Sequence, residues 1–146
     1  MDYNKAQCLA IGSVYYMKFE GDDNEQKGWR PGVVFQNNKA NRYSPNLIAL
    51  PCTTSLKKPY QPTHVILNSV DSGLMRDSMV LCENPQRMAK SKVGDYITQL
   101  PEKYIKQIAI ASLLATSAIS FISFDELAEA WRTAAVLNKR SGGLYV

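Results

Sequence analysis

Gly12-Ser-Val-Tyr-Tyr-Met-Lys-Phe19 is a run of β-branched and aromatic side chains opened by a glycine. Such residues fit a pleated, half-buried surface, so the run reads as a strand. Similar stretches follow it. Glu20–Gly28 is acidic, polar and closed by a glycine, hence a loop. Arg30–Gln36 (RPGVVFQ) is a second strand, with Pro31 near its start, where a missing N–H is tolerated. Asn37–Asn46 is rich in Asn, Ser and Pro and reads as a turn. Leu47–Thr54, Thr63–Leu67 and Ser78–Glu83 are further strands, the last two separated by a turn at Gly73. Leu56–Pro62 holds two lysines, two prolines and a tyrosine and reads as a mobile loop. Gly94–Gln99 is a short candidate for the sheet.

The pattern then changes period. Pro101 suits the first turn of a helix. Ile105, Ile108, Ala109 and Ser112/Leu113 follow helical spacing. Five or six short strands before one C-terminal helix give an α+β class, a small antiparallel barrel with a helix packed on it. Ser123-Phe-Asp-Glu126 fits a capping box, in which a Ser hydroxyl and a Glu carboxylate satisfy opposite backbone donors. Phe124, Leu127, Ala128, Trp131 and Ala135 share one face, and Gly142-Gly143 ends the run. An extra amphipathic helix is therefore expected over 124–139.

Bulk properties bound the function. The chain has 146 residues, 45% hydrophobic and 21% charged, with a net charge of +4. One domain with a real core is expected. The excess positive charge lies in residues 1–120, which carry 14 Lys/Arg against 10 Asp/Glu, while the last 26 residues balance at three and three. A mildly basic main body permits an anionic partner. Cys8, Cys52 and Cys82 are odd in number and lack CxxC spacing, so they read as buried thiols in a reducing compartment. One histidine and three scattered cysteines do not supply a zinc site, and no metal or cofactor is expected. No signal peptide or membrane span is read, and a cytoplasmic protein follows. His64 is the only histidine, so a two-histidine ribonuclease mechanism within one chain is excluded. HExxH, P-loop and GxSxG patterns are absent.

Six segments, in order and in register, resemble the MazF/PemK toxin family. Gly12-Ser-Val-Tyr-Tyr16 resembles its opening strand. Glu25-Gln-Lys-Gly-Trp-Arg-Pro-Gly-Val-Val34 resembles EQGGxRPVLV. Gln36-Asn-Asn-Lys-Ala-Asn-Arg-Tyr-Ser-Pro45 resembles QNDxxNRxSP. Thr54-Ser55 falls on the family's TS at a strand end, Pro62-Thr-His-Val65 on PTHV, and Asp77-Ser-Met-Val-Leu-Cys-Glu83 on DSVVLxE. The resemblance covers about residues 10–120. It makes 1–120 the toxin domain and leaves 121–146 as a C-terminal helical extension, expected to pack on the same domain.

The resemblance implies an SH3-like barrel, a homodimer, a MazE-like antitoxin as partner, and DNA binding by the toxin–antitoxin complex. It implies cleavage of single-stranded RNA through the substrate's own 2′-hydroxyl, with growth inhibition as the outcome. RNA would then supply the nucleophile, and the protein must stabilise charge on the phosphate and manage protons. By position, the catalytic arginine falls on Arg30 and the catalytic threonine on Thr54. A guanidinium fork matches two phosphate oxygens. Further substrate contacts fall on Gln26, Asn37, Ser55, Glu83, Asn84 and Arg87. Asn41 and Ser44 are turn-forming residues in the same neighbourhood. Trp29, Tyr43 and Tyr60 interleave with Arg30, Arg42, Lys57 and Lys58, a pattern in which aromatic faces stack bases and cations track phosphates.

Two segments depart from the family. Where it has ExIRTxxKxRL, this chain has Glu83-Asn-Pro-Gln-Arg-Met-Ala-Lys-Ser-Lys-Val93. Aligned from Glu83, Gln86 takes the arginine position and Arg87 the threonine position, unless Pro85 creates a bulge that shifts Arg87 back by one. Gly32 replaces a usual valine. Two other functions on the same frame are a CcdB-like topoisomerase inhibitor and an inactive protein that binds RNA or antitoxin.

Overall fold

The computed structural model describes residues 9–21 and 28–143. Its strands are β1 (Ser13–Phe19), β2 (Gly28–Val34), β3 (Asn46–Thr53), β4 (His64–Leu67), β5 (Ser78–Leu81), β6 (Gln86–Ala89) and β7 (Val93–Gln99). Its helices are α1 (Asn38–Tyr43), α2 (Ser69–Ser72), α3 (Glu102–Ala115) and α4 (Phe124–Arg140). The seven strands are antiparallel, in the order β4-β5-β3-β2-β1-β7, with β6 also on β3. β4 and β7 are not paired with each other, so among the described residues the sheet is open.

β3 organises the sheet by changing partners along its length. Asn46–Ala49 pairs with β6, Ala49–Pro51 with β2, and Cys52–Thr53 with β5. Two apolar clusters result. Val14, Val33, Leu50 and Cys52 pack with Val65, Val80 and the inner residues of α3. Tyr15, Met17, Phe19 and Val34 pack with Leu47, Ala49, Met88 and Val93. β1 feeds both because successive side chains point to opposite faces: Val14 enters the first cluster, and Tyr15, Met17 and Phe19 enter the second.

Gly32 is explained by its surroundings. A Cβ there would lie 2.7 Å from the Phe19 ring and 2.8 Å from the Met17 sulfur. The two large β1 side chains occupy the space a valine would need. Gly73 caps α2 at φ 84°, as the expected turn requires, and Thr98 packs against it.

Some elements differ from the expectation. Asn37–Asn46 contains the six-residue helix α1, begun by the Asn37 side chain, which accepts from the Ala40 N–H at 2.9 Å. A good N-cap residue reads as a turn when its helix is this short. β6 is an additional strand. Its rungs against β3 are continuous from Gln86 to Ala89, with Pro85 in the preceding turn. No bulge interrupts the ladder itself, in which Arg87 pairs with Ile48. On α3 the buried residues are Tyr104, Ile108 and Ala111, with Ile105 packed beside them, and Leu113 is exposed. The inner face is thus turned by about one residue. The Tyr104 hydroxyl accepts from the Asn68 N–H at 3.1 Å and donates to Asp71, which anchors α3 to α2.

α4 has the expected capping box. The Ser123 hydroxyl accepts from the Glu126 N–H at 3.2 Å, and the Glu126 carboxylate accepts from the Ser123 N–H at 2.9 Å. None of its residues is buried. No helix among the described residues is long and apolar enough to cross a membrane.

Candidate RNA-cleavage site

The β2–β3 ladder ends at the Gly32–Pro51 rung. Arg30 lies two residues past that rung on β2, and Thr54 three residues past it, just beyond the end of β3. Strands rise about 3.3 Å per residue, so both residues lie within about 10 Å of the rung, on the same side of it. Beyond Pro51, β3 turns to β5, and the two chains part. The arginine and the threonine therefore flank the opening between diverging strands. Arg30 is half-buried and sits opposite Met17 of β1, which fixes its backbone. Its positive charge reaches Cys52, where it favours the thiolate. Burial outweighs this and pushes the Cys52 thiol up to about 12. Burial and the nearby Glu83 carboxylate push Cys82 up to about 12 as well. Neither thiol is a nucleophile in this setting.

Thr54 and Ser55 are exposed. The Thr53 hydroxyl accepts from the Ser55 N–H at 3.1 Å, which shapes the exit from β3. The loop that follows presents Lys57, Lys58 and Tyr60, all exposed, Tyr60 at 96%. Lys58 has φ 53°, a left-handed conformation that a lysine adopts only when its surroundings hold it there. Its carbonyl accepts from the Gln61 N–H at 3.1 Å and meets His64 Nδ1 at 2.9 Å. On the other side of the ring, His64 Nε2 lies 2.7 Å from the Glu83 carboxylate. His64 thus ties the loop after β3 to the turn after β5. Its position in the PTHV segment beside a lysine-rich loop was the signal that it holds that loop.

Glu83 and Asn84 lie in the turn after β5, where the Asn84 N–H donates to Leu81 at 3.2 Å. Glu83 joins the loop through His64. Asn37 and Arg87 are not drawn to the Arg30–Thr54 opening. Asn37 is past the other end of β2, with its side-chain oxygen engaged by α1. Arg87 is exposed opposite Ile48, six residues back along β3 from Thr54. Gln26 lies outside the described residues.

The aromatics separate into different places. Trp29 lies against Gly94 of β7. Tyr43 carries the Arg42 guanidinium at 5.6 Å from its ring centre. Tyr60 alone stands on the lysine loop. Asn41 is buried and bonded to the Gln36 carbonyl at 2.9 Å, so it holds α1 to the end of β2. Among the described residues, no group of three His, Cys, Asp or Glu side chains converges in a metal-holding arrangement.

Comparison with known proteins identifies the family and the fold. Residues 10–114 match the family model described as PemK-like, MazF-like toxin of type II toxin–antitoxin systems. The chain is 34% identical over 111 residues to Endoribonuclease EndoA of Bacillus subtilis, covering 75% of this chain and 96% of that protein. It is 34% identical over 84 residues to Endoribonuclease MazF of Staphylococcus saprophyticus, covering 58% and 70%. A crystal structure of MazF from Deinococcus radiodurans superposes with a TM-score of 0.64 at 19% identity, over 74% of this chain and 96% of that one. A mycobacterial endoribonuclease in complex with its cognate antitoxin superposes at 0.61 and 24% identity, over 74% and 94%. The family match spans most of the chain, including the opening between β2 and β3, and the chain belongs to the PemK-like, MazF-like toxin family of type II toxin–antitoxin systems.

Proposed function

We propose that this protein is an endoribonuclease toxin that cleaves single-stranded RNA without a metal ion. The substrate's 2′-hydroxyl attacks the adjacent phosphorus, and the bond to the 5′-oxygen of the next nucleotide breaks. The products carry a 2′,3′-cyclic phosphate and a 5′-hydroxyl. Arg30 stabilises the charge that builds on the phosphate oxygens, and the Thr54 hydroxyl bonds the same phosphate. Gln26, Ser55, Glu83 and Asn84 contact the nucleotides around the cut, and Asn37 and Arg87 contact RNA farther along the strand. Lys57, Lys58 and Tyr60 follow the phosphates and stack a base beside the opening.

The observation that carries this reading is the placement of Arg30 and Thr54 beyond the same last rung of the β2–β3 ladder. The names of the relatives support the reaction class. They lend nothing to the topoisomerase-inhibitor alternative. The protein works in the cytoplasm as a homodimer on an SH3-like barrel, and an antitoxin silences it. Residues 1–120 form the toxin unit and 121–146 its helical extension.

The route through the 2′-hydroxyl is tested with matched substrates. An RNA that the protein cuts is compared with its fully 2′-O-methylated copy. The expected result is cleavage of the first and none of the second. Cleavage of both, leaving 3′-hydroxyl and 5′-phosphate ends, would mean that water is the nucleophile and that the mechanism is wrong.

A further inference from the structure

We infer that the apolar face of α4 docks against α4 of a second copy of this chain, with the two helices antiparallel. This surface lies past residue 114, where the family match ends, and is separate from the cleavage site. α4 has its own start in the Ser123–Glu126 box and its own stop at Gly142 and Gly143, with φ of 69° and 89°. Most of a helix's stability in a protein comes from packing its amphipathic face, so the apolar face of α4 calls for a partner. Phe124, Leu127, Ala128, Trp131, Ala134 and Ala135 repeat at positions a, d and e of a heptad, and none is buried. Phe124 is 92% exposed and Trp131 74%.

Charge selects the occupant. The last 26 residues carry three basic and three acidic side chains, which gives no net attraction for RNA or for an anionic membrane. Asp125, Arg132 and Lys139 border the apolar face at heptad spacing. Arg132 already bonds Glu129 of its own helix, at 2.8 and 3.2 Å. That leaves a negative Asp125 near one end and a positive Lys139 near the other, about 21 Å apart at 1.5 Å per residue. An antiparallel copy sets each Asp125 near a Lys139, twice, whereas a parallel copy opposes like charges. The helix dipoles also favour the antiparallel arrangement. The contact is two-fold symmetric and closed. A two-fold axis between residues 131 and 132 puts Ala128 opposite Ala135. The alanines allow close approach, and the open hollow lined by Trp131, Ala134, Ala135 and Asn138 leaves room for the partner's side chains.

The test is disulfide trapping in the full chain. Ala128→Cys and Ala135→Cys are made singly and together in a Cys8→Ser background, since Cys52 and Cys82 are buried. Within one helix the two positions are about 10 Å apart and cannot be bridged, so any bond between them joins two copies. The double variant should form covalent dimer on the order of tenfold faster than either single variant, because Cα atoms beyond about 7 Å are not bridged. Asp125→Lys added to the double variant should slow trapping, and Lys139→Asp on top of it should restore the rate. Equal trapping in the single variants, or none in a double variant with native helix content by circular dichroism, would overturn the proposal. So would a charge reversal that the second reversal fails to repair.

Discussion

Cys52 keeps its proton to about 12 in the fold, while an ordinary thiol loses it near 9. Between those values the unfolded chain releases a proton that the folded chain retains. Rising pH therefore favours unfolding, so this contribution to stability is whole below pH 9 and fades as pH climbs toward 12. Urea midpoints from pH 8 to 11 should fall more steeply for the native chain than for Cys52→Ala. Parallel slopes would show that Cys52 does not carry the effect. Single residues were unevenly legible. The buried cysteines and the Gly73 turn could be read directly, because apolar context and punctuation are local signals. Gly32 could not, because the reason for it is Met17 and Phe19 on another strand.

At the scale of elements, the His64 side chain ties the loop after β3 to the turn after β5. Replacing His64 with alanine removes both the bond to the Lys58 carbonyl and the link to Glu83. The expected loss of stability is about 1–2 kcal/mol, by chemical denaturation. The expected loss of cleavage rate is on the order of ten- to a hundredfold, as a displacement of about 1 Å costs in a positioned site. Unchanged cleavage would show that the loop's placement is irrelevant to turnover. The strands β1 to β5 were legible because their β-branched, aromatic and apolar runs are local and are bounded by loops rich in Gly, Pro and polar residues. β6 escaped notice because Gln86-Arg87-Met88-Ala89 has one buried side chain and depends on β3 for its pairing. α1 was hidden by its Asn and Ser content, which serves caps and turns equally.

Across the whole molecule, the opening between β2 and β3 joins residues 24 positions apart in sequence. Composition and periodicity do not reveal such a pair; the resemblance of ordered motifs did. Those motifs singled out Arg30 and Thr54, which the fold sets on the same side of the last β2–β3 rung, and Asn37 and Arg87, which lie away from that opening. The most direct measurement incubates the purified, antitoxin-free protein and its Arg30→Ala variant with a long, unstructured RNA in EDTA and maps the product ends. Discrete cuts by the native protein alone, leaving 2′,3′-cyclic phosphate and 5′-hydroxyl ends, are expected. Equal cutting by folded Arg30→Ala, or no cutting by the folded native protein, would contradict the assignment of this site.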